Sequence, residues 1–287
     1  TALTTPPFRE LLAASPYFDD VMTDKRPKPW RIGRWLRVAK QLRRGHFDRV
    51  YDLQRNQRTA VLYRVLGGGR EIEWSGVIPG CSHFVRDDPA DRRHIADRLE
   101  EQLAAAGIAE SLPADFSWLT GDVGRFALPP AYVLLVPGGA PRRPEKRAPV
   151  AAFAALARHL LGQGIAPVLI GTDAEREQID AILRECPGAV GLCNRTGFGD
   201  IADLARGAVG AVGNDTGAMH LAAAVDCPSL VLFSPASDPR RIAPRGRRVR
   251  ILQADPLTAL PGARLIAGWD ALLGEDQATG APPAILR

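Results

Sequence analysis

Along the second half of the chain, apolar residues gather into short unbroken runs separated by stretches of helical spacing. Tyr132–Val136 and, after its opening serine, Ser229–Phe233 are apolar stretches with the length of strands buried on both faces. Strands are also predicted at Ala166–Ile170 and Gly210–Gly213, and helices at Val150–Gln163, Ala174–Glu185, Ile201–Gly207 and Ala218–Val225. Strand alternating with helix predicts a parallel sheet covered on both faces, with ligands at the carboxyl ends of its strands.

The first half is less regular. A basic amphipathic helix is expected over Trp30–Gly45, a strand over Phe47–Leu53, a helix over Arg58–Leu66 stopping at Gly67-Gly68-Gly69, and a longer helix over Asp87–Ala106 ending near Gly107. Scattered Pro, Asp and Gly over Leu112–Pro130 read as a linker. A length of 287 residues suits two α/β domains, placed at residues 1–125 and 126–287.

Composition narrows the class. Apolar residues make up 46% and charged residues 24%, as in folded proteins rather than disordered ones. No run is long enough to span a bilayer, so a soluble, cytoplasmic protein is expected. The opening Thr1–Pro7 has neither a basic start nor an initiator Met, so it is not read as a signal peptide, and residues upstream of Thr1 are expected. Cys81, Cys186, Cys193 and Cys227 lack zinc-site spacing, and no metal is expected. The net charge of +5 is concentrated in arginine-rich stretches at 26–44, 142–147 and 240–250. These favour phosphates or an acidic membrane surface. A charge run is more often a solvated face than a nucleic-acid site, and no nucleic acid is expected.

Three loops carry the candidate chemistry. At Gly213–Ala224 a strand ends, a polar turn Asn214-Asp215-Thr216-Gly217 follows, and a helix begins. The free amides of a helix's first turn and the positive end of its dipole hold phosphate oxygens. Thr216 adds a hydroxyl, and Gly217 lets a ligand approach the backbone. The competing reading is that Asp215 or Thr216 caps the helix and that His220 is a core histidine. The second loop, Pro137–Arg147, brings Gly138 and the cations Lys146 and Arg147 to the same sheet edge, where Lys146 supplies a point charge for a diphosphate. The third, Gly171–Glu175, places Asp173 and Glu175 there, either to accept hydrogen bonds from ribose hydroxyls or to cap a helix.

Most of the chain resembles the lipopolysaccharide heptosyltransferases, glycosyltransferase family 9. The residues carrying the resemblance are D-T-G-x-x-H-L-A-A-A at Asp215–Ala224, the P-G loop with Lys146-Arg147, and V-Y-D-L-Q at Val50–Gln54. It implies a GT-B fold of two Rossmann-like domains facing each other, and a donor site formed by Gly138, Lys146, Glu175, Asp215, Thr216, Gly217 and His220. In that site the Asp-Thr-Gly turn and the lysine bind diphosphate and Glu175 binds ribose, while Thr196 and Gly197 line the base pocket. Gln54, Arg55 and Arg58 are expected to touch an anionic acceptor sugar.

The resemblance also implies an inverting reaction with no metal or cofactor. A heptose or related sugar passes from an ADP-sugar to a lipid-anchored saccharide of the lipopolysaccharide-core type, with peripheral contact at the inner membrane face. The family's base lies in a G-D-x-x-x-T-x-P loop. Thr4-Thr5-Pro6 matches its end, so the Gly-Asp is expected just before Thr1 and the strand preceding the loop is expected to be missing. Asp52, at a strand end, is the nearest alternative base. Two rivals remain: a sugar-nucleotide epimerase of the same fold, and a catalytically silent nucleotide-sugar binding protein.

Overall fold

A computed structural model of the chain describes residues 1–26, 31–68, 72–139 and 142–274 and the backbone of 284–286. Trp30, Gly69, Ala140 and Pro141, which figured in the sequence reading, lie outside the described residues. The chain divides into two compact units, 1–113 and 114–287.

The N-terminal unit runs β1 (Ala2–Thr4), α1 (Arg9–Ala14), β2 (Val21–Thr23), α2 (Ile32–Arg44), β3 (Arg49–Tyr51), α3 (Gln57–Val65), β4 (Glu73–Gly76), β5 (His83–Phe84) and α4 (Ile95–Ala105). β1 pairs in parallel with β2, and β3, β4 and β5 form a second parallel sheet. α2 buries Trp35, Ala39 and Leu42, one stripe at helical spacing, and leaves Arg34, Arg37, Lys40 and Arg44 exposed. Trp35 and Leu42 pack with Leu62, Tyr63, Leu66 and Trp74.

The C-terminal unit runs β6 (Tyr132–Val136), α5 (Val150–Gly162), β7 (Ala166–Leu169), α6 (Arg176–Glu185), β8 (Val190–Gly191), α7 (Phe198–Gly207), β9 (Gly210–Asn214), α8 (Gly217–Ala224), β10 (Ser229–Phe233), α9 (Pro239–Ile242), β11 (Val249–Gln253), α10 (Gly262–Gly274) and β12 (Ala284–Leu286). Its strands form one parallel sheet in the order β12-β11-β10-β9-β6-β7-β8. Alternate residues of β6 feed opposite cores. Val133 and Leu135 pack with Phe153 and Leu156 of α5, Ile179 of α6 and Trp269 of α10. Leu134 and Val136 pack with Leu204 of α7 and Met219 of α8. Burial on both faces is why these strands are apolar throughout.

The expected linker does not behave as one. Arg206 on α7 donates to the carbonyls of Leu119 at 2.7 Å and Phe116 at 2.5 Å, and the Gly121 amide donates to Asp203 at 2.8 Å. The segment is therefore part of the C-terminal unit, and the chain divides nearer Pro113 than 125. Among the described residues no helix is long and apolar enough to cross a membrane.

Candidate functional site

From β6 the sheet extends through β7 to β8 on one side and, through β9, to β12 on the other. The loops leaving β6 and β9 start from adjacent strand ends and diverge, which opens a crevice at the carboxyl edge. The strands approach closely here: Val136 stands in register with Gly213, where an added Cβ would fall 2.5 Å from that of Val136.

The two loops bring three charged side chains together. Asp215 follows β9 directly; its Oδ2 lies 3.4 Å from Lys146 Nζ and its Oδ1 3.6 Å from His220 Nε2. Burial pushes the Asp215 carboxyl up, but the neighbouring His220 ring and the Lys146 charge outweigh this and hold it below the ordinary carboxylate range. Lys146 ends a single 3-10 turn, Pro144–Lys146. His220 sits in the first turn of α8, about half exposed.

Thr216 occupies the N-cap position of α8 in extended backbone, yet its hydroxyl makes no capping bond. That hydroxyl is buried without a hydrogen-bond partner among the described residues. The amides of Gly217 and Ala218 likewise donate to no described group, as expected of a helix start facing a ligand or solvent. A Cβ on Gly217 would meet nothing within 4 Å. The start of α8 thus offers two amides without described acceptors next to Asp215, which Lys146 reaches from the other loop, an arrangement that suits an anion.

Glu175 stands beside this group. Its Oε2 accepts the Thr172 amide at 2.9 Å and the Thr172 hydroxyl at 2.7 Å, closing a capping box. Asp173 pairs instead with Arg176 and accepts from Asn194 at 2.9 Å. Thr196 is half-buried and Gly197 exposed at the start of α7, where the Gly197 amide donates to Asp200 at 2.8 Å. Among the described residues no group of three or more His, Cys, Asp or Glu side chains is placed to share a metal ion.

In the N-terminal unit the candidates are largely engaged with the fold. Asp52 is buried, and its Oδ1 accepts the amides of Gln54 at 3.1 Å and Arg55 at 3.2 Å. Burial raises its pKa, opposed by the Thr59 hydroxyl and these two amides. The Arg55 guanidinium is almost wholly buried, paired with Asp87 at 3.2 Å and donating to the Arg98 carbonyl of α4 at 3.5 Å, so it ties α4 to the β3 loop rather than facing solvent. Arg58 pairs with Asp24 and lies 4.5 Å over the Trp35 ring. The Gln54 side chain stays exposed at the end of β3. The residues leading into Thr4-Thr5-Pro6 form a short strand, β1, which ends at Thr4.

The sequence profile of glycosyltransferase family 9 (heptosyltransferase) matches residues 35–264. The chain belongs to this family. Lipooligosaccharide heptosyltransferase 2 of Haemophilus influenzae is 34% identical over 122 residues, covering 40% of this chain and 34% of that protein. Lipopolysaccharide heptosyltransferase 2 of Escherichia coli is 26% identical over 271 residues, covering 87% of this chain and 74% of that protein. The structure of E. coli heptosyltransferase WaaC with ADP superposes with a TM-score of 0.71 at 20% identity, over 94% of this chain and 89% of that one. The fold is therefore the GT-B fold of family 9.

The structure moves one residue of the polar turn into the strand before it. Asn214 is fully buried at the end of β9, immediately before the Asp-Thr-Gly turn. An amide side chain ending an otherwise apolar strand was the available signal, because a buried polar group is retained only where it is hydrogen-bonded.

Proposed function

We propose that the chain is an inverting, metal-independent glycosyltransferase that moves a heptose, or a closely related sugar, from an ADP-sugar to an acceptor of the lipopolysaccharide-core type. The observation that carries this reading is the pairing of Lys146 with Asp215 beside an α8 start whose Thr216 hydroxyl and Gly217 and Ala218 amides have no partner among the described residues. Family membership and the ADP in the E. coli structure of the same fold support the choice of donor.

On this reading the diphosphate occupies the crevice between the β6 and β9 loops. In the free protein Lys146 rests near Asp215, and a diphosphate, carrying more negative charge, draws the ammonium toward itself. The acceptor oxygen attacks the anomeric carbon on the face opposite the diphosphate, a carboxylate takes its proton, and the bond to the diphosphate oxygen breaks with inversion. Lys146, Thr216 and the helix amides offset the charge that develops on the leaving diphosphate. Glu175 binds the ribose hydroxyls, Thr196 and Gly197 border the base, and Gln54 with the basic face of α2 meets the anionic acceptor and the membrane surface that carries it.

Calorimetric titration with ADP, UDP, GDP and dTDP, each in EDTA, tests the donor assignment. Preference for ADP without metal is expected. Preference for another base would change the sugar, and no binding by any of the four would leave Lys146 and Asp215 as structural residues. Loss of sugar transfer in EDTA would defeat the metal-free account.

A further inference from the structure

The Asn214 side chain makes three hydrogen bonds while fully buried. Its Nδ2 donates to the carbonyls of Pro137 at 2.8 Å and Gly138 at 2.9 Å, and its Oδ1 accepts the Ala148 amide at 3.0 Å. Both amide hydrogens are therefore used, on two consecutive peptide units at the start of the β6 loop. The oxygen closes the loop's far end, two residues after Lys146.

The consequence lies on the other side of those peptides. A trans peptide points its carbonyl and its N–H in opposite directions, and the only cis bond among the described residues is Asp255–Pro256. Holding the carbonyls of Pro137 and Gly138 toward Asn214 turns the amides of Gly138 and Gly139 away from it. Both residues are buried, yet neither amide donates to any described group. Buried amides without a partner are rare, and two in succession form a concave pair of donors suited to an anionic oxygen.

We propose that Asn214 is a positioning residue that aims the Gly138 and Gly139 amides at a diphosphate oxygen. It also fixes the span on which Lys146 sits. This inference rests on the diphosphate-donor reading above. Asn214 precedes Asp215 and Thr216 directly, so one stretch of chain sets both walls of the crevice: the α8 start through its own backbone, and the β6 loop through one side chain.

The test uses the full chain with inorganic pyrophosphate, ADP and adenosine as probes. In the wild-type protein, pyrophosphate or ADP is expected to slow hydrogen exchange at the Gly138 and Gly139 amides, and adenosine is not. Asn214→Ala, checked for native circular dichroism, is expected to bind ADP and pyrophosphate about tenfold or more weakly, the equivalent of one lost charge-assisted hydrogen bond. Its affinity for adenosine should be unchanged, which general damage to the fold would not produce. Asn214→Ser, which keeps one donor, should recover part of the loss.

A folded Asn214→Ala with wild-type ADP affinity would overturn the inference and leave the donor reading standing. Absence of amide protection in wild type with ADP bound would do the same without any variant. Failure of wild type to bind either ADP or pyrophosphate would overturn the donor reading and the inference with it.

Discussion

Gly138 faces Glu175 so closely that a Cβ on the glycine would lie 2.5 Å from Glu175 Cγ. The first loop of the crevice and the acidic residue of its neighbour are thus in direct van der Waals contact, and a displacement of either is felt by the other. Glu175 is tied down on its far side by Thr172, so it has little room to yield.

Gly138→Ala should therefore fold with a loss of about 1–3 kcal/mol, the range for an overpacked site, while ADP affinity falls about tenfold or more because Glu175 and the loop are driven apart. Thermal unfolding and calorimetry on the same sample separate the two effects. Wild-type ADP affinity in a folded variant would show that the contact is not part of the binding site.

The Thr216 hydroxyl is buried without a partner among the described residues. Thr216→Val keeps the side chain's shape and removes that group. The free protein is expected to be no less stable, because an orphaned polar atom has been deleted. ADP affinity is expected to fall by about 1 kcal/mol, the value of one hydrogen bond. Reduced stability with unchanged affinity would assign the hydroxyl to the fold instead.

Lys146→Met removes the one lysine of the crevice loop. ADP binding should weaken about tenfold to a hundredfold, as for hydrogen bonds to charged groups, and should lose part of its salt dependence. Titrations at two ionic strengths measure both. An undiminished salt dependence would place the binding charge elsewhere.

Asp52 and Asp215 should respond to pH in opposite senses. The Asp52 carboxyl is raised by burial, so keeping it charged at neutral pH costs stability, and that cost disappears as pH falls below its unfolded value of about 4. Asp52→Asn retains an oxygen for the Gln54 and Arg55 amides, so it should be more stable than wild type at pH 7, with the difference closing near pH 4. Asp215 is held below the ordinary range; its contribution is present at neutral pH and fades only as pH falls through its lowered folded value. Asp215→Asn should therefore be less stable at pH 7. Urea unfolding at the two pH values decides both signs, and sugar transfer retained in Asp52→Asn would exclude Asp52 as the base.

The C-terminal sheet was legible because its strands are buried on both faces, so Tyr132–Val136 and Ser229–Phe233 appear as plain apolar runs. β11 was not, because Val249–Gln253 carries Arg250 and follows Arg247 and Arg248; a buried strand there reads as part of a basic cluster. In the N-terminal unit, strands of two to four residues offer too few positions for alternation to register. α4 begins at Ile95 rather than Asp87 because Asp88 and Asp91 bind the amides of Ala90 and Arg93 in local turns. The crevice residues Lys146, Asp215 and Thr216 were foreseeable once their loops were assigned to one sheet edge. The contacts between loops were not, because Gly138 against Glu175 and Asn214 across to Pro137 depend on distances that sequence order does not encode.

The segment preceding β6 has a practical consequence. A Cβ on Gly199 would fall 2.0 Å from the Thr120 carbonyl oxygen, and one on Gly121 2.5 Å from the Asp200 amide. Backbone lies on backbone along this seam, with Arg206 bridging to Phe116 and Leu119. An isolated C-terminal half cut at residue 126 would expose the face of α7 that this seam covers and leave the Arg206 guanidinium without its two carbonyls. A cut at Ala114 keeps the seam intact, and that is where a self-sufficient C-terminal fragment should begin.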